Sequence, residues 1–149
     1  MRLSEHERPT RTHFLILAMA WAGWLFDFYD LVLYTFLLGP IGQELGFGRA
    51  EHAWVLGVSL GATAVGGLLF GSLADRHGRK KVLQWTILTY SGGALLCGLA
   101  PNLTWLLLFR AITGLGVGGE WATGHALVAE VFPPRLRGRY GAMMQTGAP

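Results

Sequence analysis

Four ionisable residues stand inside long apolar stretches of this 149-residue chain: Asp27, Asp30, Arg110 and Glu120. Each costs roughly 2.5 to 3.5 kcal/mol near the middle of a membrane on insertion scales, so such side chains face the interior of a helix bundle. Carboxylates can carry a proton, and a guanidinium can pair with an anion. Intramembrane charges of this kind more often mark an ion or substrate pathway than a structural pair. The residue types therefore predict movement of protons and an organic anion.

The two aspartates and the arginine could serve one site. Asp27 and Asp30 are three residues apart and share a helix face. Counted from the outer helix ends, Asp30 lies about 12 Å deep, Asp27 about 16 Å and Arg110 about 9 Å. Arg110 is therefore within reach of Asp30, and of Asp27, if the two helices are neighbours. The alternative is a purely structural ion pair between Asp30 and Arg110.

Glu120 cannot belong to the same salt bridge. It is ten residues beyond Arg110, which places it about 15 Å further along a helix. Desolvation at that depth favours the protonated carboxyl group, so Glu120 is a candidate proton carrier. His125 follows five residues later. A polar contact between helices is the favoured interpretation of His125, and a place in a proton relay is the alternative.

The composition identifies the elements that must hold these residues. The chain is 52% hydrophobic and 14% charged, whereas roughly a quarter of the residues in a soluble domain are charged. The apolar blocks are about 18 to 28 residues long, enough to cross a bilayer as helices. The sequence thus predicts an all-α membrane protein with four transmembrane helices and the start of a fifth. The predicted spans are about 14–38, 52–73, 82–100 and 104–131, with the fifth beginning near 139.

The basic residues predict the orientation. Ten Lys and Arg residues fall in the tail at 1–13, the loop after the second span and the segment after the fourth, against one, Arg49, on the other face. This asymmetry places the N-terminus in the cytoplasm. The net charge of +3 is then explained by cytoplasmic loops, and no nucleic-acid partner is predicted. Cys97 is alone, so neither a disulfide nor a metal site is predicted.

Glycine and proline predict the connections and the close helix contacts. Residues 71–81 are predicted to form a short basic turn in which Gly78 adopts a positive φ, and residues 39–51, with Pro40, are predicted to be a loop. Three glycine pairs lie four residues apart, a spacing that predicts close helix packing in lipid; they are Gly57 and Gly61, Gly67 and Gly71, and Gly114 and Gly118. Residues 114–119 also match G-x-G-x-x-G, but they lack the strand and βαβ unit of a dinucleotide site.

Several motifs resemble one family of transporters. Residues 71–81 resemble the signature loop between the second and third helices of the major facilitator superfamily, and residues 110–118 resemble its fourth-helix motif. Residues 129–138 are similar to the segment after the fourth helix in its sugar and metabolite porters. Residues 28–30 and 118–121 look most like the proton-coupled symporters of lactate, sialate or dicarboxylates.

The resemblance implies a twelve-helix transporter made of two six-helix halves that works by alternating access. In such transporters the first and fourth helices line the central cavity, so Asp27, Asp30, Arg110 and Glu120 become candidate proton and substrate residues. The loop implies a cytoplasmic gate formed by Gly71, Asp75, Arg76, Gly78 and Arg79. In this gate the aspartate meets the second half of the protein. The chain stops inside the fifth helix, so it resembles an N-terminal fragment whose partner is the missing C-terminal half.

The sequence therefore predicts part of a secondary active transporter in the inner (plasma) membrane. The expected partners are a small organic anion, protons and the lipid bilayer, although the same acids could bind sodium. No enzyme activity, cofactor or metal is predicted, because no nucleophile is paired with a base and no ligand spacing is present. A sugar or polyol porter and an exporter are the alternatives within the superfamily. A small four-helix structural or assembly subunit is the alternative from another class.

Overall fold

The computed structural model describes residues 9–147 and contains five helices in that range, with no strand. Residues 1–8, which include Arg2 and Arg8 of the predicted tail, and residues 148–149 lie outside the described part. The helices are α1 (Arg11–Leu45), α2 (Arg49–His77), α3 (Arg79–Cys97), α4 (Leu103–Val131) and α5 (Arg137–Gln145). The prediction of an all-α fold is confirmed.

Two of these helices are long and apolar enough to cross a membrane. They are α1, with 35 residues, and α2, with 29. Only 17% of the most apolar window of each helix is buried, whereas the central helix of a soluble protein hides most of its surface. Both helices are thus long and apolar enough, by length and composition, to cross a bilayer.

The first connection is much shorter than the predicted loop at 39–51. Helix α1 continues through Pro40 to Leu45, and α2 already begins at Arg49. Leu38, Ile41 and Leu45 recur on one face of α1 and join the same apolar cluster. This packing outweighs the one backbone hydrogen bond that a proline removes. Gly46, with a φ of 71°, ends α1.

The basic segment at 71–81 is also almost entirely helical, so the predicted turn was too long. The α2 helix continues to His77 and α3 starts at Arg79, which leaves Gly78 as the junction. Gly78 has a φ of 91° and a ψ of 138°, a conformation open to glycine and strained for residues with a Cβ. Its N–H donates to the carbonyl oxygen of Ala74 at 3.0 Å. The predicted positive φ at Gly78 is confirmed.

The chain forms two compact units, and α1 and α4 each contribute to both. Unit 1 combines the residues up to Leu31 with those from Gly124 onwards, and unit 2 is Val32–Thr123. Each unit has its own apolar core. In unit 1 the buried members are Leu17, Ala20, Val128, Val131, Phe132 and Met144. In unit 2 they are Tyr34, Leu38, Val55 and Leu106.

Candidate functional site

Arg110 is the charged centre of unit 2. Only 2% of its surface is exposed. Its guanidinium carbon lies 3.8 Å from the centre of the Tyr34 ring, and Nη2 donates a hydrogen bond to Ser59 Oγ at 3.3 Å. An aromatic face and a hydroxyl group thus hold a cation away from water. The guanidinium is fixed in place by three helices, α1, α2 and α4.

Close backbone contact between α2 and α4 positions Ser59 beside Arg110. A Cβ at Gly114 would overlap the carbonyl oxygen of Ser59, and a Cβ at Gly118 would overlap the carbonyl oxygen of Thr63. The tightest position on α2 is Gly66, where a Cβ would overlap the backbone of Leu115. Glycine lets the two helices approach closely in this way. The serine hydroxyl therefore reaches the arginine one turn away from Gly114.

The predicted glycine pairs divide into three groups. The contact at Gly114 and Gly118 is confirmed. Looser contacts surround Gly67 and Gly71, whose nearest atoms are the Gly118 carbonyl oxygen at 3.5 Å and Ala122 Cβ at 3.8 Å. No atom lies within 4 Å of a Cβ at Gly57 or Gly61. The prediction of close packing at that pair is therefore wrong for the part of the chain that the structure describes.

The glycines of α4 also pack against α3 and confirm that residues 114–119 serve helix packing. A Cβ at Gly116 would lie 2.5 Å from the backbone nitrogen of Tyr90. A Cβ at Gly119 would lie 2.5 Å from Thr86 Cγ2 and equally close to the ring of Phe70. The G-x-G-x-x-G pattern thus lies inside a helix that two other helices contact.

Glu120 is buried in unit 2 at a separate place on α4. It is 8% exposed and follows Gly119, the residue packed against Phe70 and Thr86. Ten residues of continuous helix separate it from Arg110, a rise of about 15 Å. Glu120 is therefore too far along the helix to share the guanidinium of Arg110. A carboxyl group in this setting is poorly hydrated.

Asp27 and Asp30 belong to unit 1. Asp27 is buried, with 4% exposed, and Asp30 is half-buried one turn further along α1. The proposed pairing of Arg110 with Asp30 stays a prediction. What the structure adds is that Asp27, the first of the two acids, is turned into the protein and not towards its surface.

A polar cluster in unit 1 joins three helices. The Nε2 atom of Gln145, on α5, lies 3.0 Å from Nε2 of His125, on α4. The Trp24 ring, on α1, meets the imidazole edge-on with 5.0 Å between ring centres. Nearby, Trp21 Nε1 donates to Thr146 Oγ1 at 3.3 Å. The predicted polar contact of His125 between helices is confirmed.

The gating-loop candidates lie around the α2–α3 junction. Arg79 Nη2 and Asp75 Oδ1 form an ion pair at 2.6 Å that spans Gly78. The Asp75 side chain is 64% exposed and that of Arg79 22%. Arg76 is exposed, while Gly71 is half-buried against α4. The carboxylate of Asp75 therefore has a partner within this chain.

Residues 14–149 match the profile of the Major Facilitator Superfamily over almost the whole chain. The chain belongs to this superfamily. Membership explains the sequence of motifs, the long apolar helices and the glycine-rich α2–α4 contact together. It also establishes a membrane protein of a transporter family, rather than a soluble helical domain.

Curated relatives of this superfamily chain are bacterial transporters. A niacin transporter of Acinetobacter baylyi is 37% identical over 134 residues, 90% of this chain and 30% of that protein. A probable 4-methylmuconolactone transporter of Cupriavidus pinatubonensis is 39% identical, covering 85% of this chain and 30% of that protein. A sialic acid transporter of Escherichia coli is 35% identical, and the match covers 86% of this chain and 32% of that protein. The chain spans about a third of the length of these relatives. No solved structure matches.

Sequence reasoning missed three residues of this superfamily chain that contact the candidate site. Tyr34 and Ser59 hold Arg110, and Gln145 meets His125. Ser59 could have been found two residues after Gly57 in an apolar helix, where a hydroxyl needs a partner. Gln145 is likewise an amide in an apolar run. Tyr34 gave no signal, because a tyrosine in a spanning helix is common.

Proposed function

We propose that this chain is part of a secondary active transporter that carries a small organic anion together with a proton by alternating access. The observation that carries the proposal is the buried guanidinium of Arg110, held by Tyr34 and Ser59. A guanidinium fixed in an apolar bundle suits an anion, because its N–H groups match a carboxylate. Niacin and sialic acid, named for two of the relatives, are carboxylic acids.

In this mechanism, proton uptake and anion binding compensate each other. A carboxylate takes up a proton from the outer side, and the substrate anion pairs with Arg110. Rocking of the two halves then delivers both to the cytoplasm. The proton and the anion together cross without exposing a bare charge to hydrocarbon. Asp27 and Asp30 are the proposed proton sites, with Glu120 as a further carrier towards the cytoplasmic end of α4.

The proposed setting is the inner (plasma) membrane, with the N-terminus in the cytoplasm. The basic residues of the α2–α3 junction and of the segment before α5 support this orientation. The gate at Asp75 and Arg79 would act against the C-terminal half of the full-length protein. The transport activity is proposed for that full-length protein, since the chain covers 30% of the niacin transporter. The superfamily match favours transport over a four-helix structural subunit.

Uptake by the full-length protein in proteoliposomes tests the proposal. The test substrates are labelled nicotinate, sialic acid, succinate and glucose. Uptake of each substrate is measured with an inward proton gradient, with a sodium gradient and with neither gradient. We expect a proton gradient to drive uptake of a carboxylate. Asp27→Asn and Asp30→Asn should abolish this driven uptake, and Glu44→Gln, an exposed carboxylate on the same helix, should not.

Three results would contradict the proposal. Glucose uptake without carboxylate uptake would indicate a sugar porter, and uptake driven by sodium alone would replace the proton. Unchanged proton-driven uptake in both aspartate variants would remove their coupling role.

Arg110→Lys separates the anion site from the proton sites. It keeps the charge but loses the planar fork and the stacking on Tyr34, so we expect the KM of the carboxylate to rise by about tenfold or more.

A further inference from the structure

Helix α3 begins with two lysines whose charge no acidic side chain neutralises. Lys80 and Lys81 follow the Gly78 junction, and both are exposed. The neighbouring Arg79 already pairs with Asp75, which is the only acidic residue between positions 71 and 88. In the described range 9–147 neither lysine forms an ion pair. The start of α3 therefore keeps a local excess of positive charge.

An apolar stripe continues from the lysines along the same side of α3. Leu88 and Leu95 lie seven and fourteen residues after Lys81, which places all three on one helix face. The two leucines are 70% and 71% exposed. The side that packs against α4 is the opposite one, where Thr86 and Gly93 are buried. One face of α3 thus changes from cationic to aliphatic along its length.

Trp85 lies at the change from charged to apolar side chains. It is one turn after Lys81 and three residues before Leu88, and it is 41% exposed. The ring of His77, at the end of α2, lies 5.8 Å from the indole, centre to centre. The imidazole Nδ1 donates to the carbonyl oxygen of Leu73 at 3.3 Å. Tryptophan is enriched where lipid headgroups meet hydrocarbon, so its place here suits that boundary.

We propose that this face of α3 binds an acidic phospholipid, with its phosphate at Lys80 and Lys81 and an acyl chain along Leu88 and Leu95. The face matches such a lipid part by part. Ammonium groups pair with a phosphate, the indole suits the headgroup boundary, and the leucines suit hydrocarbon. The chain belongs to a superfamily of membrane transporters, so a phospholipid is a ligand that it meets. The inference goes beyond the proposed function and does not depend on the substrate carried.

The length of the face fits one leaflet of a bilayer. At the helical rise, Leu88 lies about 10 Å and Leu95 about 21 Å beyond Lys81. Half of the hydrocarbon core is about 15 Å thick, and the headgroup region adds about 5 to 7 Å. A phosphate is therefore about 20 Å from the bilayer centre. A lipid held by the lysines would reach with its acyl chain from Trp85 to Leu95.

Quenching of Trp85 fluorescence by brominated lipids tests the site in the full-length protein. The bilayers contain phosphatidylglycerol or phosphatidylcholine with the same brominated acyl chains, so that only the headgroup differs. Each protein is compared with its Trp85→Phe counterpart, and the difference isolates the emission of this tryptophan. For wild type we expect half-maximal quenching at an about fivefold lower mole fraction of phosphatidylglycerol, because lysines near a surface attract acidic lipids.

Two double variants test the part played by the lysines. In Lys80→Gln/Lys81→Gln the preference for phosphatidylglycerol should fall to about onefold, because no ammonium group remains to pair with the phosphate. Arg135→Gln/Arg139→Gln is the matched control. It also removes two exposed cationic side chains, but from unit 1, and it should keep the wild-type preference.

Four results overturn the lipid site. The first is equal quenching of wild type by the two lipids, and the second is a preference that survives the loss of both lysines. The third is an equal loss of preference in the control, which would show a general effect of net charge. The fourth is the absence of quenching by either lipid, which would show that protein covers this face of α3. None of these results bears on uptake of a carboxylate, so the proposed function is tested separately.

Discussion

The guanidinium of Arg110 lies on the ring of Tyr34, with 3.8 Å between the guanidinium carbon and the ring centre. The contact links α4 to the second half of α1, and the Ser59 hydroxyl adds α2. A charge in an apolar bundle is thereby stabilised by neutral groups, an aromatic quadrupole and a dipole. These two contacts fix the position of the guanidinium inside the helix bundle.

Replacement of the Tyr34 ring should weaken this site. Tyr34→Leu removes the aromatic face, and we expect the free energy of unfolding to fall by about 1 to 2 kcal/mol, because a buried cation–π contact contributes that much. The KM of the carboxylate should rise as the guanidinium loses its fixed position. Tyr34→Phe keeps the ring and serves as the control. Thermal unfolding in detergent measures the difference, and equal melting temperatures for the Leu and Phe variants would rule out a role for the ring.

The α2–α4 contact should tolerate no side chain at Gly66. In Gly66→Ala the new methyl group meets the backbone of Leu115, and we expect a loss of about 1 to 3 kcal/mol from overpacking. Gly57→Ala on the same helix enters open space and should be neutral or stabilising by about 0.5 to 1 kcal/mol, since alanine favours the helix. Chemical denaturation of both variants checks the contrast. A Gly66→Ala protein as stable as Gly57→Ala would show that the helices do not meet there.

The junction between α2 and α3 should require glycine at position 78. Gly78→Ala has open space around it, yet a φ of 91° strains any residue with a Cβ. We expect a cost of about 1 to 3 kcal/mol. Gly138→Ala, in the first turn of α5 and also in open space, lacks that strain and is the control. Melting temperatures of the two variants decide the point, because steric room alone would make them equal.

The Asp75–Arg79 ion pair should matter for transport and little for stability. Both side chains reach solvent, and exposed pairs contribute about 0 to 1 kcal/mol. Asp75→Asn should therefore leave the melting temperature almost unchanged. If Asp75 forms the gate implied by the family, the same variant should lower the maximal rate of uptake in the full-length protein. Glu51→Gln, at the opposite end of α2, is the control, and equal rates in both variants would exclude the gating role.

Much of this fold could be predicted from the order of residues. The length of the apolar stretches alone predicts long helices such as α1 and α2, since a backbone in hydrocarbon must satisfy its own hydrogen bonds. The positive φ of Gly78 followed from a glycine between two helix-forming segments. Asp27, Arg110 and Glu120 were found because a charge inside an apolar run is conspicuous and costly. These are local properties, and a local pattern is sufficient to reveal them.

Other features depended on the tertiary structure. Pro40 predicted a loop, but Leu38, Ile41 and Leu45 pack into one cluster and carry the helix past it. Spacing could not distinguish Gly57, which faces open space, from Gly66, which meets Leu115. The partners of Arg110 come from segments 51 and 76 residues away in the sequence. Which groups hold a buried charge is decided by the faces that two helices turn towards each other, and that choice is made by packing over the whole bundle.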